Sequence, residues 1–167
     1  AGDHAQAVEA AGCAATLEAL NAELALEFLD SLMRSSRRTE ALKLLESAAL
    51  RGADDQTKAW ASIARADLEA IRLAIDDGRI DDAEKMMTSF ESDVLPRIGD
   101  EHAGIRLDTL RNQASDRRFS QRLAAAADAR LAGDHEEAEM IAREVADDPS
   151  AGLWANRARR FLAGANA

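Results

Sequence analysis

Apolar residues return every three or four positions through most of this chain, and this spacing restricts its fold more than any other feature. Between Asp55 and Asp77, one stripe would carry Trp60, Ile63, Ala64, Leu68, Ile71, Ala74 and Ile75. Steps of three and four place side chains on one face of an α-helix. The chain has only two prolines, Pro96 and Pro149, and both stand where the pattern ends. The sequence therefore predicts an all-α protein.

The same pattern divides the chain into eight predicted helices. Their bounds are 16–34, 37–50, 55–77, 80–95, 100–113, 116–131, 135–146 and 150–163. The apolar stripe changes phase near Arg117, and Ser115 and Asp116 are good helix caps, so we expect a break or kink there. Pro96 is expected to close the fourth helix. We expect Asp148 and Pro149 to open the last helix as its N-cap and first helical residue.

Alanine and leucine must fill the core, because aromatic residues make up only 4% of the chain and tyrosine is absent. Both are strong helix formers, and alanine lets helix axes approach closely. A chain of 167 residues hides roughly 70% of its unfolded surface, which suffices for one domain. We predict a single helical domain over residues 13–167. Residues 1–12 are Ala-rich and weakly patterned, so they form either the frayed start of the first helix or a flexible tail.

Charge and hydropathy exclude several classes of partner. The formal net charge is −10, which argues against nucleic acid or an anionic membrane as the main partner. No apolar run approaches the roughly 20 residues that span a bilayer, so we expect a soluble chain without direct membrane insertion. The chain starts at Ala1 without methionine, as a processed exported protein or a trimmed chain would. Cytoplasmic and periplasmic or exported locations both stay open.

Residues that could perform chemistry are few and scattered. Cys13 is the only cysteine, which excludes an internal disulfide and a cysteine-based zinc site. The three histidines, His4, His102 and His135, have no nucleophile or metal-ligand spacing around them. We therefore predict a protein that is not an enzyme, with no catalytic residue, no metal and no cofactor.

A short segment recurs three times at predicted hairpin turns. In each copy a small residue is followed five positions later by alanine, and an acidic residue precedes that alanine. The copies read Ser36-Arg-Arg-Thr-Glu-Ala41, Gly78-Arg-Ile-Asp-Asp-Ala83 and Gly133-Asp-His-Glu-Glu-Ala138. Glycine suits the left-handed residue that ends a helix, and the small alanine suits a helix crossing.

The repeated segment resembles the turn and second helix of a tetratricopeptide repeat, which has Gly-Asp-Tyr-x-Glu-Ala at the turn and proline after the second helix. The third copy matches best, with Gly133, Asp134, Glu137 and Ala138 in place and Pro149 after the helix. The resemblance implies antiparallel helical hairpins stacked as a short right-handed solenoid of about 7–8 helices.

On this resemblance, the repeat units would cover residues 22–55, 64–97 and 119–152. An inserted helix would cover 100–113, and a capping helix 150–163. The spacing between copies exceeds 34 residues, and the Trp and Tyr of the family's first helices are missing. A helical bundle without repeats is the alternative, because any helical hairpin favours glycine at its turn.

The function implied by the resemblance is a scaffold or adaptor that binds a peptide or partner helix in a concave groove. Its groove would carry Arg65, Leu68, Arg72, Ile75, Arg122 and Arg130. Solvated charges on an ordinary helix surface are the alternative interpretation of these arginines. The family's carboxylate clamp needs Lys and Asn at positions that here hold Leu26, Asp30, Glu69, Ser120 and Ala124, so we do not expect recognition of a C-terminal carboxylate.

The last predicted helix is a second candidate for partner binding. It combines an apolar face with Trp154, Arg157 and Arg160, so it could dock onto a partner or seal the last repeat. The leading alternative function is a structural accessory subunit of a larger assembly, membrane-associated or exported, with this end buried. Neither the partner's identity nor the oligomeric state follows from the sequence.

Overall fold

A computed structural model describes residues 22–46, 50 and 52–164 of the chain. Every regular element in these ranges is helical, so the all-α prediction is confirmed for the part described. The helices are α1 Ala22–Arg34, α2 Arg38–Leu45, α3 Ala53–Asp76, α4 Ile80–Ser89, a π-helix Phe90–Val94, α5 Leu95–Ile98, α6 Glu101–Leu131, α7 His135–Asp147 and α8 Leu153–Ala163. The predicted tail at 1–12, Cys13 and the predicted start of the first helix lie outside the described residues.

Of the break or kink expected near Ser115, the break is wrong. Helix α6 continues through Ser115 and Asp116, so the predicted helices 100–113 and 116–131 form a single element. Neither residue breaks a helix as proline does, and serine and aspartate lower helix propensity only slightly. The change of apolar phase has another cause. The first part of the helix buries Leu107 and Leu110, whereas Phe119 is buried on a different face.

The sequence led us to expect that Pro96 closes the fourth helix, and this prediction is wrong. Instead the chain widens into the π-helix Phe90–Val94, in which the Leu95 N–H donates to the carbonyl of Phe90, and then continues to Ile98. Proline has no N–H, so a regular α-helix through Pro96 would leave the Ser92 carbonyl without its donor. The wider turn places the proline near the start of a new helical segment, where its missing donor is tolerated. Gly99 then ends the segment with φ of 57°.

The predicted start of the last helix is three residues too early. Asp148 does not cap a helix opened by Pro149, because residues 149–152 are not helical; its Oδ1 accepts from the Ser150 backbone N–H at 2.8 Å and from Ser150 Oγ at 2.6 Å. These bonds hold a local turn. Helix α8 begins only at Leu153, after Gly152 with φ of 50°.

The second predicted helix ends earlier than position 50. Helix α2 ends at Leu45, and residues 47–49 lie outside the described ranges. The Gln56 side chain donates to the backbone carbonyls of Leu45 at 2.9 Å and Leu50 at 2.6 Å. A side chain of α3 therefore satisfies the carbonyl of Leu45 at the end of α2 and that of Leu50 beyond it.

The chain divides into two compact units. The first comprises residues 1–70 and 86–106, and the second comprises 71–85 and 107–167. The described core of the first contains Leu29, Leu32, Ile63, Phe90 and Val94, all fully buried. The second contains a cluster of Phe119, Val145, Ala146, Ala151, Ala155 and Ala158. A single domain over residues 13–167 stays a prediction.

Candidate binding surface

The three repeated turns share one backbone conformation. Ser36, Gly78 and Gly133 have positive φ values of 58°, 77° and 88°. In each turn, this residue's N–H donates to the carbonyl three residues back, at 3.0 to 3.1 Å. The next residue's N–H donates to the carbonyl five residues back, at 2.8 to 2.9 Å. This pair of bonds satisfies the last carbonyls of the preceding helix and reverses the chain.

The alanine that follows each turn is buried. Ala41 and Ala83 are 0% exposed, and Ala138 is 2% exposed. In the third copy, the Asp134 carboxylate also accepts from the Glu137 backbone N–H at 3.0 Å, which caps α7. The sequence therefore predicted the left-handed glycine at Gly78 and a closely packed alanine in each copy, but not the left-handed conformation of Ser36.

Within the second unit, α8 runs parallel to the C-terminal part of α6. The Trp154 indole N–H donates to Asp116 at 3.0 Å near the start of α8. Towards its end, Arg130 donates to the carbonyls of Phe161 at 3.4 Å and Gly164 at 2.8 Å. Residue numbers rise together along both helices, so the two run in the same direction.

Helix α7 forms an antiparallel hairpin with α6 in the same unit. Arg122 and Glu144 form an ion pair at 3.1 Å, and they lie at equal distances along the chain from Gly133. Helix α7 also packs against α8. The alanines of the core cluster fill this contact, which lets the helix axes approach closely.

The end of α3 also lies along α6 within the second unit. Gln121 donates to the Gly78 carbonyl at 3.1 Å, and a Cβ on Gly78 would lie 2.6 Å from Gln121 Nε2. Arg118 pairs with Glu84 at 2.6 Å, which joins α4 to the same helix. Lower-numbered residues of both segments line a common groove, so the end of α3 and α6 run in the same direction.

This groove has a volume of about 550 Å³ and is lined by Arg72, Ile75, Asp76, Gln113, Asp116, Arg117 and Ser120. We call it the α3/α6 groove. Arg72 pairs with Asp76 at 2.5 Å, and Asp116 accepts the Trp154 indole N–H. Arg117 is exposed and forms no ion pair with any residue in the described ranges. The groove therefore combines internally paired charges with one available guanidinium.

A second depression, of about 740 Å³, surrounds the turn at Gly78. Its arginines are paired: Arg79 lies 3.1 Å from Asp77, and Arg118 and Arg122 pair with Glu84 and Glu144. Bonds from Ser150 hold the pKa of Asp148, which also lines it, below the ordinary value of 3.8. Positive and negative groups alternate here, so this depression favours neither an anion nor a cation.

The four residues of α3 that were predicted to line the groove differ in exposure and in the unit to which they belong. Arg65 is exposed and Leu68 is only 8% exposed, and both belong to the first unit. Arg72 and Ile75 belong to the second unit and line the α3/α6 groove, although Ile75 is only 4% exposed. Leu68 and Ile75 therefore serve mainly as core residues.

The predicted residues on α6 and α8 mostly make internal contacts. Arg130 ties α6 to the end of α8 and lies over the Phe161 ring at 5.3 Å. Arg157 stacks over Trp154 at 4.4 Å. Arg160 is exposed and pairs with no carboxylate in the described part of the chain. Of this set, Arg160 has the charge most available to a partner.

Sequence reasoning missed Gln113, Asp116 and Arg117 as groove residues. Together with Ser120 they lie at steps of three and four along α6, which places them on one helix face. The expected break at Ser115 separated them into two helices. A continuous helix would have revealed this polar face.

Catalytic and metal-binding features are sparse in the described ranges. His102 and His135 are exposed, and residues 22–46, 50 and 52–164 contain no group of three His, Cys, Asp or Glu side chains arranged to hold a metal. Among the helices of this described part, none has the length and hydrophobicity required to cross a bilayer.

Comparison with known proteins gives no family assignment. No protein-family model, no curated protein and no solved structure matches this chain.

Proposed function

We propose that this chain is a non-enzymatic, tetratricopeptide-like scaffold that binds a segment of another protein in the α3/α6 groove. The observation that carries the proposal is the parallel arrangement of the end of α3, the C-terminal part of α6 and α8. In a stack of helical hairpins, the first helices of successive hairpins run parallel and share one surface. The three turns of common conformation support the same interpretation.

The groove's chemistry suits a polar protein segment. Gln113 and Ser120 can donate to and accept from a peptide backbone. Arg117 presents a guanidinium fork that matches a carboxylate side chain. Asp76 and Asp116 have internal partners, so they oppose a bound carboxylate less than free carboxylates would.

A random peptide library selected on the folded chain tests this proposal. Selected peptides are then measured by fluorescence anisotropy against the wild type, Arg117→Ala and the matched control Arg106→Ala. Arg106 is an exposed arginine of the same helix, outside the groove. We expect Arg117→Ala to weaken binding about tenfold, as loss of one charge-assisted bond would, and Arg106→Ala to leave it unchanged.

Peptides bound equally by both variants would contradict the groove as the binding site. If repeated selection yields no peptide that binds, the scaffold proposal is wrong. The structural accessory subunit is then the better interpretation. Its supporting observation is apolar exposure: Leu131 is 87% exposed and Leu153 is 78% exposed, so a permanent partner would cover them.

A further inference from the structure

The exposed face of helix α7 carries one apolar side chain and several acidic ones. Met140 is 56% exposed, and Glu144 and Asp147 follow it at four and seven positions, so the three share one face. We call these three residues the acidic stripe. They line a depression of about 630 Å³ together with Glu136, Glu139 and Arg143. Four carboxylates face two guanidiniums here, Arg143 at Glu139 and Arg122 at Glu144, so the face keeps a net negative charge.

Helix α8 presents an outward stripe of the opposite charge. Leu153 is 78% exposed, and Arg157 and Arg160 follow it at four and seven positions. We call these three residues the basic stripe. Arg160 pairs with no carboxylate in the described ranges, and Arg157 is exposed, with its guanidinium over the Trp154 ring at 4.4 Å.

The two stripes match in spacing as well as in charge. Each has its apolar residue first and its charges four and seven positions later, over about 10.5 Å of helix. Laid parallel, Leu153 meets Met140, Arg157 meets Glu144, and Arg160 meets Asp147. The C-terminal end of α7 carries partial negative charge, and its last turn contains no basic residue. Arg159 of the same chain already donates to the Ala146 carbonyl at 3.0 Å, so a guanidinium brought to Asp147 would mainly meet the carboxylate.

We propose that the basic stripe of one copy of this chain docks on the acidic stripe of a second copy. The two stripes are different surfaces, so the contact is heterologous. Each added copy leaves one stripe of each kind free, and assembly continues beyond a dimer. The interface is small, so we expect weak association with a dissociation constant on the order of 10⁻⁴ M.

Salt alone cannot test this contact. It weakens the ion pairs between the stripes, but it also screens the repulsion between two chains of net charge −10. Complementation of two variants separates the effects. Met140→Ala/Asp147→Ala disables the acidic stripe, and Leu153→Ala/Arg160→Ala disables the basic one. All four side chains are exposed, so both variants should fold, and circular dichroism with thermal melting verifies this.

Sedimentation equilibrium from about 10 μM to 1 mM provides the measurement. We expect the wild-type average mass to rise continuously with concentration, and each variant alone to associate at least about tenfold more weakly. An equimolar mixture should form a 1:1 dimer that does not grow, because only one functional stripe of each kind remains. Lys85→Ala/Met86→Ala changes exposed residues outside both stripes and should behave as the wild type.

Three outcomes would overturn the proposal. The first is a wild type that stays monomeric over the whole range. The second is a variant that associates as strongly as the wild type. The third is a mixture that fails to form the dimer, which would indicate a symmetric contact or another partner for these faces.

Discussion

The core of the first unit and the α7/α8 contact of the second unit are both helical, but they are packed with side chains of different size. The first buries large side chains, including Leu29, Leu32, Ile63 and Phe90, together with a partly buried ion pair. The second packs α7 and α8 largely through alanine, with its ion pairs near the surface. A core of large side chains is vulnerable to truncation, whereas an alanine contact is vulnerable to enlargement. The core of the first unit and the α7/α8 contact should therefore fail under opposite kinds of substitution.

The largest loss in the free energy of unfolding is expected when a buried side chain of the first unit is truncated. Phe90 is fully buried at the start of the π-helix. Phe90→Ala should lower the free energy of unfolding by about 3–5 kcal/mol, because it removes buried apolar area and leaves a cavity. Chemical denaturation measures this loss. Met86→Ala, at a side chain that is 40% exposed on the preceding helix, should cost much less, and equal losses would contradict the comparison.

The partly buried ion pair of the first unit is expected to respond asymmetrically to removal of its partners. Arg38 Nε lies 3.0 Å from an oxygen of Asp67, whose side chain is 12% exposed. Burial raises the pKa of Asp67 above 3.8 despite the opposing attraction of Arg38, and the charge of Asp93 raises it further. Arg38→Met should therefore cost roughly 2–3 kcal/mol at pH 7, less than for a fully buried pair, because it leaves a desolvated carboxylate without its cation.

Asp67→Asn tests the same pair from the other side. A carboxyl whose pKa is higher folded than unfolded stabilises the folded state fully below the unfolded value near 3.8. This contribution is lost as pH rises through the folded value. Asparagine mimics the protonated form, so Asp67→Asn should match the wild type in acid and equal or slightly exceed its stability at pH 7. Unfolding free energies of both proteins should be measured from pH 3 to 7. A variant that becomes less stable than the wild type as pH rises would contradict this prediction.

Enlargement should be the damaging change at the α7/α8 contact. Ala158 is fully buried beside Phe119 and Val145 in the alanine-rich cluster. Ala158→Leu should lower the free energy of unfolding by about 1–3 kcal/mol, because the added atoms force the helices apart. Ala163→Leu adds the same atoms at an exposed position of the same helix and serves as the control in thermal melts. A stabilised Ala158→Leu variant would refute close packing here.

Substitutions at the turns should change stability modestly and with opposite signs in the two units. Ser36 in the first unit and Gly133 in the second share a left-handed conformation, which is unfavourable for a residue with a Cβ. Ser36→Gly should stabilise the chain by about 0.5–1 kcal/mol, and Gly133→Ala should destabilise it by about 1–2 kcal/mol. A Cβ on Gly133 would meet no atom within 4 Å, so the loss reports the backbone alone. Equal changes of the same sign in both variants would contradict this account.

Local rules were enough to predict much of the fold. The sequence indicated the left-handed glycine of the Gly78 turn, and the aligned copies indicated the buried alanine that follows each turn. These features depend on residues within about six positions of each other, which a single sequence displays directly. The predicted helix bounds failed at Ser115, where the helix continues, and at Pro96, where a π-helix carries the chain past the proline.

The candidate surface was less predictable than the fold. An exposed arginine and one that bonds to a distant carbonyl look alike in a sequence, as Arg160 and Arg130 illustrate. Which of them is available depends on helix pairs far apart in the chain. The acidic and basic stripes were visible as charged positions, but their exposure was not.

The shared turn conformation also bears on how fast the chain folds. Each turn closes through backbone bonds that span at most five residues, so little chain entropy is lost before the first contacts form. Contacts between the two neighbouring helices can then form progressively, starting next to the turn. Helical proteins dominated by such local contacts fold in microseconds to milliseconds. We therefore expect each hairpin to form early, before contacts between residues distant in the sequence.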